Sequence, residues 1–254
     1  MHNFILPFWQ AAVNSIKSII DEGDFTSFIN SPMVRQTMFS GNSGYVTDEL
    51  NWLNTTETGK NYQHLFNQDE KVPLDTHYPG FSVCGNSIHH IFHLAYYDFI
   101  MSKGLDSASV MEFGGGYGNL CRLYKILNPT ATYIIIDLPE ITKMQKIYLE
   151  KMGLKVNTFS GKIIPGIINL VSILDMDSLN TKVDLFITTW ALSEATKEAQ
   201  DFMLLKKYYG AEKALMAFQK SSGLFPFAEN IKENFSGGNL LDTPFIDDNY
   251  YYFL

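Results

Sequence analysis

The chain has 254 residues, 46% of them hydrophobic and 18% charged, a composition that excludes an intrinsically disordered protein and fits one large domain or a domain with a cap. Its 19 basic and 27 acidic residues give a net charge of -8. Because no Lys/Arg cluster is present to displace counterions from phosphates, this charge argues strongly against a nucleic-acid-binding protein.

Apolar stretches stay shorter than the roughly 18 to 20 residues that a membrane helix needs. The N-terminal sequence MHNFILPFWQ has no basic residues ahead of its apolar run, so it is a poor signal peptide. The two cysteines, Cys84 and Cys121, form no CxxC motif, and no Cys/His run has zinc spacing. We therefore expect a soluble, cytoplasmic protein without a metal site.

The first 80 residues or so are rich in Asn, Thr, Ser and Gly, with apolar residues in short bursts. Apolar residues at helical spacing predict a first helix over 7–21. The segments 40–47 and 69–85 are predicted to be irregular, since glycine and proline interrupt them. We expect residues 1–85 to form a helical and irregular N-terminal cap.

The segment 86–103 has the pattern of an amphipathic helix, which Asn86 or Ser87 can cap and Gly104 can end. His89 and His93 lie on one face of it, because residues four apart are neighbours on a helix. The pair could also bind a metal, but no HExxH motif accompanies it, and a polar interface is the simpler interpretation.

After residue 107, predicted strands alternate with predicted helices. This alternation indicates a mainly parallel sheet with right-handed crossovers. We expect residues 86–254 to form a Rossmann-like domain, a seven-stranded sheet with helices on both faces. The region 160–182 has no clear assignment, and the Tyr-rich C-terminus fits either a final strand or a dimer seam. The predicted strands are 108–113, 132–137, 154–159, 183–190 and 213–219, followed by a closing antiparallel pair; the predicted helices are 118–127, 139–152 and 194–208.

The motif Glu112-Phe-Gly-Gly-Gly-Tyr-Gly118 follows a predicted strand and opens a predicted helix, which is the context of a nucleotide-type fingerprint. Glycines let the chain turn sharply and let a ligand lie against bare backbone. The dinucleotide pattern G-x-G-x-x-G requires a third glycine where this chain has Asn119, and no Gly-Lys-Ser/Thr follows. The spacing therefore disfavours both NAD and a P-loop.

Asp137 ends the next predicted strand. The tips of adjacent parallel strands meet at one edge of the sheet, where open α/β sheets bind ligands. A carboxylate there can accept hydrogen bonds from both hydroxyls of a ribose. Asp137 thus indicates an adenosine-containing ligand without deciding which one, and capping of the following helix is its alternative role.

The segments VMEFGGGYGNLCRLYKI, YIIIDLPEITKMQKIYLEKMG and VDLFITTWALSEA together resemble class I S-adenosylmethionine-dependent methyltransferases, and most closely the sugar O-methyltransferases of bacterial surface-polysaccharide clusters. The resemblance covers roughly 86–220. It implies S-adenosylmethionine as cofactor and an O-methylation of a sugar hydroxyl in a small-molecule or glycan substrate. An NAD(P)-dependent oxidoreductase and a non-catalytic module with a nucleotide fold remain alternatives.

The resemblance also assigns site residues. It implies that the glycine loop lies against the cofactor, that Glu112 lies near the methionine part, and that an acid near the third strand faces the adenine, for which Asp175 with Met176 is the candidate. The tip of the strand 183–190 should face the transferred methyl group, so Trp190 could wall the site. The residues expected at the cofactor are Glu112, Gly114, Gly115, Gly116, Gly118, Asp137, Leu138, Asp175, Met176 and Trp190.

A sugar hydroxyl is a weak nucleophile and must lose its proton, so the reaction benefits from a positioned base. His89, His90 and Glu194 are the catalytic candidates, and His93 is a further one on the same helix. Each has an ordinary alternative role: the histidines could form a polar helix interface, and Glu194 could be a first-turn acid that complements a helix dipole.

Overall fold

A computed structural model describes residues 4–21, 28, 30–39, 44–67, 83–102, 104–233 and 237–254. They form an eight-stranded sheet in the order β3-β4-β2-β1-β5-β6-β8-β7. The first six strands in this order, from β3 to β6, pair parallel with their neighbours. Strand β8 pairs antiparallel with both β6 and β7. The strands are β1 (Ser109–Phe113), β2 (Thr132–Asp137), β3 (Val156–Thr158), β4 (Ile168–Ser172), β5 (Leu185–Thr189), β6 (Lys213–Gln219), β7 (Asn239–Asp242) and β8 (Asn249–Phe253).

Helices flank this sheet, and short 3-10 turns at 63–65, 173–178 and 207–210 join some of the elements. None of the described helices is long and apolar enough to cross a membrane. The helices are α1 (Pro7–Asp21), α2 (Pro32–Met38), α3 (Gly44–Thr55), α4 (Glu57–Asn61), α5 (Gly85–Met101), α6 (Asn119–Leu127), α7 (Pro139–Lys151), α8 (Lys197–Leu205) and α9 (Asn230–Glu233).

The central strands are covered on both faces, which explains their near-continuous apolar sequences. Tyr133 to Ile136 of β2 are all buried, as are Val110 and Met111 of β1. The register places Glu112 opposite Ile135 of β2 and Ile187 of β5, so the tips of the three strands meet at one carboxyl edge. The mainly parallel α/β fold predicted from the sequence is confirmed.

The predicted count of seven strands is wrong because β4 lies within 160–182, the region without an assignment. Pro165 and Gly166 directly precede it, and its second residue is the polar Asn169. That amide is fully buried; it accepts from Ile164 N at 2.8 Å and donates to Ile164 O at 3.0 Å. It therefore pairs the backbone polar groups of the turn that leads into the strand. The predicted strand 183–190 is consequently the fifth strand, Leu185–Thr189.

The N-terminal part is more regular than expected. The first helix is confirmed as α1, but α3 begins at Gly44, so the loop predicted for 40–47 is wrong over 44–47. Glycine interruptions suggested a loop there, whereas Val46, Leu50 and Leu53 bury one face of a helix. The remainder of that loop, 40–43, and most of the segment 69–85 lie outside the described residues.

The helix predicted for 86–103 runs from Gly85 to Met101. Cys84 precedes it and no side chain caps it, so the predicted cap by Asn86 or Ser87 is wrong. It ends earlier than predicted because Ser102 adopts a left-handed φ of 50° and donates its N–H to Asp98 O at 2.8 Å.

Helix α5 connects the N-terminal helices to the sheet, since it packs against α3 and α4 on one side and α6 on the other. Helix α1 contacts α7 and α2. Buried residues from α1, α3 and the strands belong to one continuous hydrophobic core, so the segment before residue 86 and the sheet share that core. A domain boundary between 85 and 86 stays a prediction.

Candidate active site at the carboxyl edge of the sheet

A cavity of about 400 Å³ opens at the carboxyl edge, where the tips of β1, β2 and β5 meet. This volume lies within the usual range for small-molecule and cofactor sites. The sheet contributes the loop after β1 and the tips of β2 and β5, while the N-terminal half contributes residues 4–6, 9, 36–39 and 45 and the first turns of α5.

The glycine loop needs bare backbone at the cavity. Gly114 has a φ of +74°, and a Cβ there would lie 2.0 Å from the Cβ of Ala191. A Cβ on Gly115 would lie 2.8 Å from Ile135 Cγ2, and Gly116 has a φ of +54°. Gly118 also has a positive φ, but it packs against Leu149 and does not line the cavity. Three of the four predicted loop glycines therefore reach the site.

Glu112 lies at the end of β1 with its side chain almost wholly buried. Its Oε2 accepts a hydrogen bond of 2.9 Å from the Tyr133 hydroxyl. Burial raises the pKa of Glu112 to about 8; the Tyr133 hydrogen bond opposes this rise, and the nearby Asp137 adds to it. The Glu112 carboxyl thus lines the cavity next to the glycine loop, and no Lys or Arg is among the described residues of that lining.

Asp137 ends β2 and its side chain is fixed on both oxygens. Oδ1 accepts from Leu138 N at 2.8 Å, and Oδ2 accepts from Gln145 Nε2 at 2.7 Å. Gln145 also donates to Gly116 O at 2.9 Å, so it ties this carboxyl to the glycine loop. Burial raises the pKa of Asp137 to about 7, against the hydrogen bonds from Leu138, Gln145 and the loop amides.

Sequence reasoning missed Gln145. The signal was available, because α7 turns its apolar Ile141, Met144, Tyr148 and Leu149 into the core and this one amide shares their face. A fully buried amide requires partners, and here its Nε2 finds them on Asp137 and on the glycine loop.

The predicted adenine contacts at Asp175 and Met176 do not reach the cavity. Asp175 is exposed on the 3-10 turn 173–178, while Met176 is buried beneath it and accepts from the Tyr209 hydroxyl at 3.1 Å through its carbonyl. This turn directly follows β4. Because the sequence analysis did not identify β4, the adenine contact was predicted on residues of the turn that do not line the cavity. Ile173, the first residue of the turn, lines the cavity together with Leu138.

Trp190 follows β5 and walls the opposite side. It adopts a φ of +65°, uncommon for a bulky residue, while its N–H donates to Ala217 O at 2.7 Å. Its indole N–H donates to Asn249 Oδ1 at 2.7 Å, and its ring stacks on His89 with centroids 5.3 Å apart. These contacts fix the plane of the indole at the cavity.

Glu194 lies one turn after Trp190 and lines the same wall. Its Oε2 accepts from the Trp9 indole N–H at 3.1 Å, and its Oε1 accepts from Gln219 Nε2 at 3.4 Å. Burial raises the pKa of Glu194 to about 7, and both hydrogen bonds oppose that rise. Trp9 is 185 residues away in sequence, so no local pattern indicated this pair.

His89 belongs to a chain of hydrogen bonds that crosses three elements. Its Nδ1 lies 2.7 Å from Oε1 of the buried Glu49, its Nε2 lies 3.1 Å from Nε2 of His93, and Nδ1 of His93 lies 2.5 Å from the hydroxyl of Tyr251. Nδ1 of His89 can donate to the Glu49 carboxylate, and every ring nitrogen of the two histidines has a partner. Burial, together with the neighbouring His89 and His90, lowers the pKa of His93 well below its ordinary value.

His90 faces the cavity with a defined tautomer. Asn119 accepts on Oδ1 from Arg122 Nη2 at 2.7 Å, so its amide NH2 points the other way and donates to His90 Nδ1 at 3.0 Å. Nδ1 of His90 is therefore an acceptor and Nε2 carries the proton. Burial lowers the pKa of His90 to about 3, with further lowering by His89 and Arg122, which keeps the ring neutral.

The cavity has acidic side chains without basic partners of the Lys or Arg type among its described lining. Among the described residues that line it, Glu112, Asp137 and Glu194 are acidic, and none is Lys or Arg. No group of three or more His, Cys, Asp or Glu in the described part of the chain is arranged to hold a metal.

No protein-family model and no curated protein matches the sequence. Solved structures similar to the chain include an O-methyltransferase candidate from Nostoc punctiforme, with 10% identity over 84% of this chain and 70% of that one at a TM-score of 0.45. A SAM-dependent methyltransferase from Aquifex aeolicus shares 15% identity over 63% and 89% of the two chains at a TM-score of 0.42. Magnesium protoporphyrin IX methyltransferase from Synechocystis, solved with bound SAM, shares 13% over 83% and 95% at 0.42. Likeness at this level does not establish what this chain binds.

Proposed function

We propose that the protein is an S-adenosylmethionine-dependent methyltransferase that acts on a hydroxyl group. The observation that carries this proposal is a cavity with a bare glycine turn and three acidic side chains but no basic one among its described lining. Buried carboxyls without counter-ions favour a cationic ligand. S-adenosylmethionine carries two cationic groups, a sulfonium and an ammonium.

The same charges disfavour a dinucleotide. A pyrophosphate would bring two negative charges to the glycine loop, beside Glu112 and Asp137, without any Lys or Arg in the described lining. Asn119, where the dinucleotide pattern has a glycine, is buried in α6 and holds Arg122 and His90. The oxidoreductase alternative therefore has less support than the methyltransferase.

The cofactor half of the cavity comprises Glu112, the loop Gly114–Gly116, Asp137, Leu138 and Ile173. We assign Glu112 to the ammonium group of the methionine part and Asp137 to the ribose hydroxyls, since the Asp137 carboxyl lines the cavity at the tip of β2 beside the glycine loop and can accept charge-assisted hydrogen bonds. Leu138 and Ile173 offer the apolar surface for the adenine. When bound, the cofactor supplies an electrophilic methyl group on a positively charged sulphur.

The acceptor half comprises Trp9, Tyr45, His89, Trp190 and Glu194. Glu194 is the group that can take the proton of the acceptor hydroxyl as the new oxygen–carbon bond forms and the carbon–sulphur bond breaks. Its carboxylate retains free lone pairs, and its pKa of about 7 suits proton transfer near neutral pH. His89 has no free nitrogen, and His90 can only donate from Nε2.

We further propose a sugar hydroxyl as the acceptor, within surface-polysaccharide biosynthesis. The support for this finer assignment is the sequence resemblance over roughly 86–220 and the aromatic side chains Trp9, Tyr45 and Trp190 around the acceptor half, since aromatic rings pack well against the apolar faces of ring-shaped ligands. The described N-terminal residues that line the cavity, 4–6, 9, 36–39 and 45, would then help to select the substrate.

Isothermal titration tests the cofactor. We expect S-adenosylmethionine and S-adenosylhomocysteine to bind and NAD not to bind. Asp137→Asn should weaken binding by about tenfold, since it replaces a charge-assisted hydrogen bond to the ribose. Asp175→Asn, which removes an exposed acid outside the cavity, is the matched control and should bind like the wild type. Binding of NAD alone would overturn the proposal, and firm cofactor binding without methyl transfer to any acceptor would favour the non-catalytic module.

A further inference from the structure

Of the five described residues that define the acceptor half, Glu194 is the one with an acidic side chain, and none is Lys or Arg. The other four contribute the rings of Trp9, Tyr45, His89 and Trp190. Of these, the two indole N–H groups are already donated, one to Glu194 and the other to Asn249. These described residues therefore offer flat ring faces and a carboxylate, without a Lys or Arg to balance it.

The histidines do not change this balance. Both nitrogens of His89 are engaged, Nδ1 with the buried Glu49 carboxylate and Nε2 with His93, so neither is free to bind an anionic group of an acceptor. Burial keeps the pKa of His90 at about 3, so this ring can offer an N–H but no charge. Arg122, buried behind His90, directs Nε and Nη2 to Asn119 Oδ1 at 3.1 and 2.7 Å.

A phosphate or carboxylate placed here would lose its hydration and face the Glu194 carboxylate. Burying an anion is unfavourable unless a partner compensates the charge, and a like charge adds repulsion. An interface that leaves a charge unpaired discriminates against the ligand that carries it. Aromatic walls and a single acceptor carboxylate instead suit a neutral ring that donates one hydroxyl proton.

Resting on the proposed function, we propose that the acceptor is a neutral, unphosphorylated sugar ring, and that sugar phosphates and nucleotide-linked sugars are not accepted at this site. The enzyme would therefore act before a sugar is activated by a phosphoryl or nucleotidyl transfer, or after its transfer to a glycan has removed the phosphate.

Binding of matched sugar pairs to the full chain, saturated with S-adenosylhomocysteine, tests this. Each pair consists of a methyl glycoside and the phosphate ester of the same sugar, and nucleotide-linked forms are included. Because Trp9 and Trp190 both line the acceptor half, tryptophan fluorescence reports acceptor binding without turnover. We expect the neutral member to bind and the phosphorylated member to bind at least about tenfold more weakly.

A variant identifies the cause. Glu194→Gln should reduce the difference in affinity between the neutral and the phosphorylated member of each pair by about tenfold. The substitution removes the repelling charge and keeps the shape of the side chain. Asp175→Asn removes one exposed negative charge outside the cavity lining and should leave the difference in affinity within each pair unchanged. Tighter binding of the phosphorylated members, or no binding by any neutral member, would overturn the inference. Failure of S-adenosylhomocysteine itself to bind would instead overturn the proposed function, so the two failures are distinguishable.

Discussion

The two halves of the cavity are built in different ways. The cofactor half comes mainly from one stretch of sequence, Glu112 to Leu138, in which two neighbouring parallel strands place their tips side by side. The acceptor half is assembled from α1, α3, α5 and the segment after β5, and its defining bond joins Trp9 to Glu194. Local backbone geometry therefore determines the first half, whereas long-range packing determines the second.

The largest expected effect is on the rate of the reaction, and it should leave cofactor binding unchanged. Glu194→Gln should lower kcat by about a hundredfold to ten-thousandfold, because a general base typically contributes that much. The affinity for S-adenosylmethionine should stay unchanged, since Glu194 belongs to the acceptor half. Steady-state kinetics and titration on the same preparation measure both. An equal loss in cofactor affinity would show that the halves are not independent.

The next prediction concerns the backbone of the cofactor half. Gly114→Ala should cost about 2–5 kcal/mol in folding or ligand binding, because its Cβ would clash with Ala191 and the left-handed φ adds strain. Thermal unfolding and titration with S-adenosylhomocysteine measure it.

Gly153→Ala is the control for Gly114→Ala: its φ is +82°, but a Cβ there meets nothing within 4 Å. It should lose stability from backbone strain alone and keep its cofactor affinity. The double variant Gly114→Ala with Ala191→Gly should recover part of the affinity. No recovery would mean that strain, not the clash, is the cause.

A third prediction uses pH to probe the buried carboxyl of the cofactor half. The folded-state pKa of Glu112 is about 8, above the ordinary value of 4.5. Between these two pH values the folded protein therefore binds more protons than the unfolded chain. Its contribution to stability is fully present below about pH 4.5 and is lost as the pH rises through about 8. Denaturant unfolding of the ligand-free protein should show this decline, and Glu112→Gln should flatten it. An identical slope in the variant would exclude Glu112 as the source.

The smallest expected effect tests the long-range bond of the acceptor half. The indole N–H of Trp9 lowers the pKa of Glu194, so Trp9→Phe should raise it. The rising limb of the profile of kcat against pH, near pH 7 in the wild type, should then move to higher pH. Trp52→Phe is the control, because Trp52 packs on Phe92 and Tyr96 away from the cavity lining. An unmoved limb would mean that Trp9 only packs.

The same division explains what the sequence could predict. A strand buried on both faces, followed by glycines or an acid, is visible in a window of a few residues, so β1, its loop, β2 and Asp137 were predictable. The strand β4 was not, because Asn169 breaks its apolar pattern and needs a turn partner that the sequence does not identify. That omission led the sequence analysis to Asp175 and Met176 as the adenine contacts, whereas Ile173 is the residue of that turn that lines the cavity.

The partners of the acceptor half could not be predicted in the same way. Glu49, Trp9 and Tyr251 lie 40, 185 and 158 residues from the side chains they bind, and no periodicity encodes such pairs. The histidines were recognised as one face of α5, but whether each ring donates or accepts depends on those distant partners. Assignment of the base to Glu194 over His89 and His90 therefore required the three-dimensional arrangement.

Strand β8 lies between β6 and β7, and it supplies Tyr251 to His93 and Asn249 to Trp190. A nascent chain still on the ribosome can form the glycine turn and the first two strands, since these are local in sequence. It cannot fix the indole wall or the histidine rings until residues 249–251 have left the exit tunnel. Premature termination just before this strand would thus remove the hydrogen bonds that hold His93 and Trp190 in place.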